Sequence, residues 1–136
     1  MHIFSLHKGL GNLYLSSGAQ FSGMWHRGKR QGHGIMKWSD GSYYDGEWLN
    51  DKRHGHGTYR TPYARGHMYV GMWEDGMKQG RGRMVIGGGE SMAGPSSQDI
   101  EFYMSDPKMD VLDGFFMGGN FVQELNAAAE TDKLGM

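Results

Sequence analysis

Three stretches of the chain share one alternation: an aromatic residue, a variable one, glycine, a variable one, tryptophan. They are Phe21-x-Gly23-x-Trp25, Tyr44-x-Gly46-x-Trp48 and Tyr69-x-Gly71-x-Trp73. Side chains of an extended strand alternate faces, so the rings and the glycine between them share one side. A short turn rich in Gly, Lys and Arg follows each stretch, and a Gly-x-Gly pair (Gly32/Gly34, Gly55/Gly57, Gly80/Gly82) then opens a second run. Each unit therefore predicts a β-hairpin. Ser39-Asp40-Gly41 has the composition of the tight turn that joins one hairpin to the next.

The units recur after 23 and then 25 positions, the two extra residues falling in the Pro- and Gly-containing stretch 61–66, which reads as an extensible loop. Gly9 and Gly11 align beneath Gly32 and Gly34, so the array opens with a half repeat whose first strand is missing. A hairpin this short cannot bury an aromatic face alone, and successive hairpins must stack into one sheet around a row of rings. The core is expected to be Phe21, Trp25, Tyr44, Trp48, Tyr69 and Trp73. The repeated glycines then leave room for a ring of the neighbouring hairpin to lie across the strand.

The repeated Tyr44-x-Gly46-x-Trp48, with Lys52-Arg53-His54-Gly55-His56-Gly57-Thr58-Tyr59 after it and the parallel stretches at 21–34 and 69–82, resembles the MORN repeat (membrane occupation and recognition nexus). The resemblance covers residues 8–86, with Asp51 standing where the other units have glycine. It implies an all-β fold, an elongated twisted antiparallel sheet of stacked hairpins, that acts as a scaffold and not as a catalyst. It also implies settings in cytoskeletal and ciliary structures or at membranes.

Residues 1–86 thus form the array, and 87–99 (Gly-Gly-Gly-Glu-Ser-Met-Ala-Gly-Pro-Ser-Ser-Gln-Asp) read as a linker. Within 100–136, Glu101–Met104 reads as a strand, and Leu112–Gly119 as a degenerate terminal repeat, since Gly114, Phe116 and Gly119 keep the spacing of the motif. Asn120 with Gln123 reads as a helix N-cap, opening a short acidic helix to about residue 131 with Phe121, Val122 and Leu125 on one side. Such a helix is too short to stand alone and needs a surface to dock on.

Composition sharpens this reading. Glycine contributes 24 of 136 residues with only 3 Pro, so the excess is positional. The absence of Cys removes disulfides, thiolate metal sites and a cysteine nucleophile. No stretch of 18 apolar residues occurs, and the chain reads as cytoplasmic. The net charge of −1 conceals 12 Lys/Arg against 6 Asp/Glu in residues 1–83 and 2 against 9 beyond, an oriented molecule with two unlike contact surfaces. Gly89-x-Ser91-x-Ala93 lacks the strand and helix of a nucleophile elbow, and Gly28-Lys29-Arg30 lacks the hydroxyl residue of a P-loop. His33, His54 and His56 read as polar residues bordering turns, so no metal or cofactor is expected.

The turns carry the candidate binding chemistry. Lys29, Arg30, Lys52, Arg53, Lys78 and Arg81 are expected to line up as a basic ridge, suited to acidic protein tails or acidic lipid headgroups, with RNA phosphates the weakest fit. Reversing Lys52 and Arg53 should then leave stability nearly unchanged. The sequence reads as a non-enzymatic structural or adaptor protein with protein partners in a multi-subunit cytoskeletal or axonemal (ciliary) assembly. The alternative is a peripheral membrane module that binds phosphoinositides or acidic lipid through the ridge.

Overall fold

The structure, a computed structural model, describes residues 2–3, 9–61, 66–87 and 100–124. It is a single antiparallel sheet in which spatial order follows chain order from β1 to β10. The strands are β1 (His2–Ile3), β2 (Gly9–Tyr14), β3 (Gln20–His26), β4 (Lys29–Lys37), β5 (Tyr43–Leu49), β6 (Lys52–Arg60), β7 (His67–Glu74), β8 (Met77–Ile86), β9 (Asp110–Met117) and β10 (Asn120–Glu124). One short helix, α1 (Ile100–Met104), interrupts the run between β8 and β9.

The hairpin turns follow directly from their residues. Arg27-Gly28, Asn50-Asp51, Asp75-Gly76 and Gly118-Gly119 all have positive φ at both positions, the two-residue geometry whose twist matches that of paired strands. Asp51 tolerates the left-handed conformation as Asp and Asn can. Its carboxylate is also used, accepting from the Arg30 backbone N–H at 2.8 Å and from Arg30 Nε at 3.0 Å. Between hairpins, Asp40 Oδ1 accepts from the Ser42 backbone N–H at 2.8 Å, and Gly41 (φ +91°) donates to the Trp38 carbonyl at 3.0 Å. The sequence reading of Ser39-Asp40-Gly41 as the joining turn holds.

The core lies on one face as a zigzag of rings, Trp25, Phe21, Trp48, Tyr44, Trp73, Tyr69, Phe116 and Phe121. Successive centroids are 4.9–5.4 Å apart in edge-to-face arrangements, the geometry that opposed ring quadrupoles prefer. The glycines make this possible, in a more specific way than the sequence suggests. A Cβ on Gly34, Gly57 or Gly82 would fall within the ring of Phe21, Tyr44 or Tyr69, which belongs to the same hairpin. The tryptophan comes from the following hairpin instead, and its indole N–H donates to the preceding one: Trp48 to Gly34 O at 3.0 Å and Trp73 to Gly57 O at 3.1 Å. Trp25 likewise donates to Gly11 O in the leading half repeat at 3.0 Å.

Three expectations change. The missing first strand of the half repeat is present in part, since His2 and Ile3 pair with Tyr14 and Leu13. Glu101–Met104, read as a strand, lies in α1, because Ile100, Tyr103 and Met104 recur at helical spacing and pack on Met68 and Val85. Asn120–Gln123, read as a helix start, belongs to β10, paired with β9 through Asn120↔Met117 and Phe121↔Phe116. The Gly118-Gly119 turn reverses the chain there and seats Phe121 on Phe116, a tertiary contact that outweighs the local capping pattern. The rest of the expected helix (125–131) and most of the expected linker (88–99) lie outside the described residues.

Candidate functional site

The basic turn residues separate into three environments. Arg30, Arg53 and Lys78 stand opposite Trp25, Trp48 and Trp73 in register and therefore on the aromatic face. The Arg30 guanidinium lies over Trp48 at 4.4 Å and that of Arg53 over Trp73 at 4.6 Å, while Lys78 Nζ sits 5.6 Å from the Tyr69 ring centre. Such cation–π contacts contribute about 0.5–2 kcal/mol each. Both arginines also donate to the following turn, Arg30 to Asp51 O at 2.9 Å and Arg53 to Gly76 O at 2.8 Å. Burial lowers the pKa of Arg53 and, with Arg53 nearby as a second cause, that of Lys78. The two arginines join hairpin to hairpin, whereas Lys78 lies over rings of its own hairpin.

Lys29 and Lys52, one residue away on each strand, are exposed beside the turns. Arg81 sits on the opposite face, where its Nη2 donates to Asp113 Oδ1 at 2.8 Å and its buried Nε has no acceptor among the described residues. The structure brings together Arg30, Arg53 and Lys78 as one row and leaves Arg81 apart from it. Of the C-terminal candidates, Phe121 is half-buried on Phe116, Val122 is exposed, and Leu125 lies outside the described residues.

Sequence reasoning missed the second face. There, Met68 and Val85 form a small separate core with Ile100 and Tyr103 of α1, all four at most 4% exposed. Arg60, itself buried, donates to Tyr103 Oη at 2.9 Å, and Arg83 Nη1 approaches Glu101 Oε1 at 3.4 Å. Next to α1 the face opens into a depression of about 340 Å³ lined by residues that include Val70, Met72, Arg81, Arg83 and Ile100. Met72 in its lining is exposed, as are Phe115, which pairs with Arg81, and Met117 on the same face of β9. The available signal was in the third unit, where both neighbours of Tyr69, Met68 and Val70, are apolar. The corresponding neighbours of Phe21 are Gln20 and Ser22.

His33 Nε2 pairs with Asp45 Oδ1 at 2.9 Å, and the His56 backbone N–H donates to Glu47 Oε2 at 2.7 Å. Among the described residues no three His, Asp or Glu side chains are placed to hold a metal ion, and no helix is long and apolar enough to cross a membrane.

Against known families, the MORN repeat model matches residues 21–43, 44–62 and 69–90, in register with the three hairpins β3–β4, β5–β6 and β7–β8. No curated protein sequence matches the chain. A matched family of this kind describes a repeat module that binds proteins or associates with membranes, generally without catalysis. Three consecutive matches, each laid on a hairpin whose ring, glycine and tryptophan recur in the same geometry, make the chain a MORN-repeat protein.

Proposed function

We propose that this MORN-repeat chain is a non-enzymatic adaptor, a structural subunit of a larger cytoskeletal or axonemal assembly in the cytoplasm. The observation that carries the reading is the division of labour between the two faces. The ring face is occupied by stacking, while the opposite face carries exposed Met72, Phe115 and Met117 with α1 covering part of it. Apolar groups left exposed together in this way mark interaction surfaces.

The alternative, a reader of phosphoinositides or acidic lipid, has fewer cations to draw on than the sequence suggests. Arg30, Arg53 and Lys78 lie on rings, and of the six candidate cations Lys29 and Lys52 are the exposed ones, beside the turns and outside that row. The test is fractionation of detergent-extracted cells in parallel with flotation of the purified chain on vesicles containing phosphatidylinositol bisphosphate. Retention in the detergent-resistant cytoskeletal pellet without flotation is the expected outcome. Flotation that is lost in Lys29→Glu/Lys52→Glu, with no retention in the pellet, would replace the adaptor reading by the lipid one.

A further inference from the structure

We infer that the open part of the second face, between α1 and the end of β9, is a seat for an acidic amphipathic helix of another protein. The inference deepens the adaptor reading and rests on it. It begins with how the chain changes from unit to unit. At equivalent second-face positions the first unit has Gln20, Ser22 and Met24, the second Tyr43, Asp45 and Glu47, and the third Met68, Val70 and Met72. On β9 the same face presents Val111, Asp113, Phe115 and Met117. The face thus turns apolar toward its C-terminal end, although hairpin stacking, which uses the other face, gains nothing from this.

Part of that apolar surface is already covered, and its cover shows what the surface accepts. Helix α1 lays Ile100 and Tyr103 on Met68 and Val85 and directs Glu101 toward Arg83. Apolar residues spaced three or four apart, with a carboxylate at the flank, are the chemistry of an amphipathic acidic helix. Ile100 also forms one wall of the neighbouring depression, so the covered and open surfaces are continuous. In the open part, Met72 on β7 and Phe115 on β9 are 40% and 39% exposed, and Met117 is 64% exposed. They flank β8 on both sides. Strands about 4.8 Å apart place those flanks roughly 10 Å from each other, which is the width of an α-helix.

The floor between them carries Arg81 and Arg83, whose side chains are 39% and 40% exposed. A guanidinium has five N–H donors. Among the described residues, Arg81 uses one on Asp113 at 2.8 Å, and Arg83 makes one loose contact with Glu101 at 3.4 Å. Donors therefore remain for carboxylates on the flank of an incoming helix. The adaptable thioethers of Met72 and Met117 suit a contact that must follow the contour of a partner.

The experiment places a photo-crosslinking amino acid at Met117, and separately at Leu10 on the same face of β2, in the full chain expressed in cells that naturally contain it. Crosslinked peptides are then mapped by mass spectrometry. Crosslinks from 117, and not from 10, to another protein are expected, in a segment with apolar residues at i, i+3 or i+4, and i+7 flanked by Asp or Glu. Met72→Glu should lower that yield about tenfold and Arg81→Glu several-fold, the scale of losing an anchor at the centre of an interface. The melting temperature of Met72→Glu should not change.

Crosslinks from 117 into residues 125–136 of the same molecule, into a second copy, into a basic or extended peptide, or into no protein would each overturn the inference. Retention in the cytoskeletal pellet is scored on the same cells. If it persists while the crosslink goes elsewhere, the helix seat fails and the adaptor reading stands; if retention is absent, the adaptor reading itself fails.

Discussion

Replacing Gly57 by alanine tests the stacking logic most directly. Gly57 has no left-handed φ, so the substitution is not opposed by backbone conformation and its whole cost is steric. The added Cβ lands on the Tyr44 hydroxyl and on the ring carbons beside it. Tyr44 has little room to withdraw, because Trp48 and Trp73 hold it edge-to-face at 5.2 and 5.3 Å and its hydroxyl donates to Glu47 O at 2.9 Å. Overpacking of this kind costs about 1–3 kcal/mol, and the hydrogen bond lost when the ring shifts about 1 more, giving roughly 2–4 kcal/mol in all. In a Tyr44→Leu background the obstacle is absent and the same Gly57→Ala change should cost no more than about 1 kcal/mol, leaving a coupling of about 2 kcal/mol. Gly76→Ala is the control: its Cβ meets nothing within 4 Å, but its φ is +82°, so it should cost about 1–2 kcal/mol in either background. Urea unfolding followed by tryptophan fluorescence and circular dichroism measures all of these. Equal costs for Gly57→Ala with and without the Tyr44 ring would refute the argument.

Charge reversal at Lys52 should leave the urea midpoint unchanged, whereas Arg53→Ala should destabilise the fold by about 1–3 kcal/mol through loss of its contacts with Trp73 and Gly76. This departs from the sequence reading, which treats the two as equivalent surface charges. Burial pushes the Tyr69 hydroxyl up to about 12 and raises that of Tyr44 further. Since the folded state holds these protons more tightly than the unfolded chain, the stabilisation is complete below about pH 10 and is lost as pH rises through about 12. Urea midpoints measured from neutral to alkaline pH, with tyrosinate absorbance recorded alongside, check it; ionisation of Tyr69 at an ordinary pKa in the folded chain would contradict it. Solution scattering should give a radius of gyration clearly above the roughly 14 Å of a compact globule of this length, because each strand contacts only its neighbours.

The hairpins, their joining turn and all six core rings of the three units are legible in the sequence because each is written locally and repeated. Period-two alternation identifies the strand, and a glycine where a side chain should be identifies the ring that covers it. What the repeat does not write is harder to read. Arg30 and Arg53 look like turn charges, and it takes the register Trp25↔Arg30 and Trp48↔Arg53 to place them on the ring face. Asp51 looks like a defect of the motif, whereas its carboxylate takes two hydrogen bonds from the preceding hairpin's Arg30. Helix α1 is hidden because Ile100, Tyr103 and Met104 find their partners on β7 and β8 through contacts that no local pattern encodes.

The last described hairpin, β9–β10, departs from the others at the positions that stack. Register places Leu112 where the other units have Phe21, Tyr44 or Tyr69, Phe116 where they have tryptophan, and Phe121 where they have Arg30, Arg53 or Lys78. Each change removes something the next hairpin would need. Leucine cannot present a ring for a following indole to meet. Phe116 still closes on Tyr69 at 4.9 Å but carries no N–H for the carbonyl of Gly82, so the hydrogen bond that ties earlier hairpins together is not repeated. Phe121 fills the position of the cation by packing on Phe116 and offers no donor to another turn. Glu124, opposite Gly114, stands where Gly34, Gly57 and Gly82 stand in the other units. With no tyrosine to cover it, that position no longer requires glycine, and a charged side chain there disfavours the burial that further stacking would demand. Among the described residues, the ring face therefore loses at β9–β10 the groups that tie the earlier hairpins together, in the same stretch of sequence where the opposite face is most apolar.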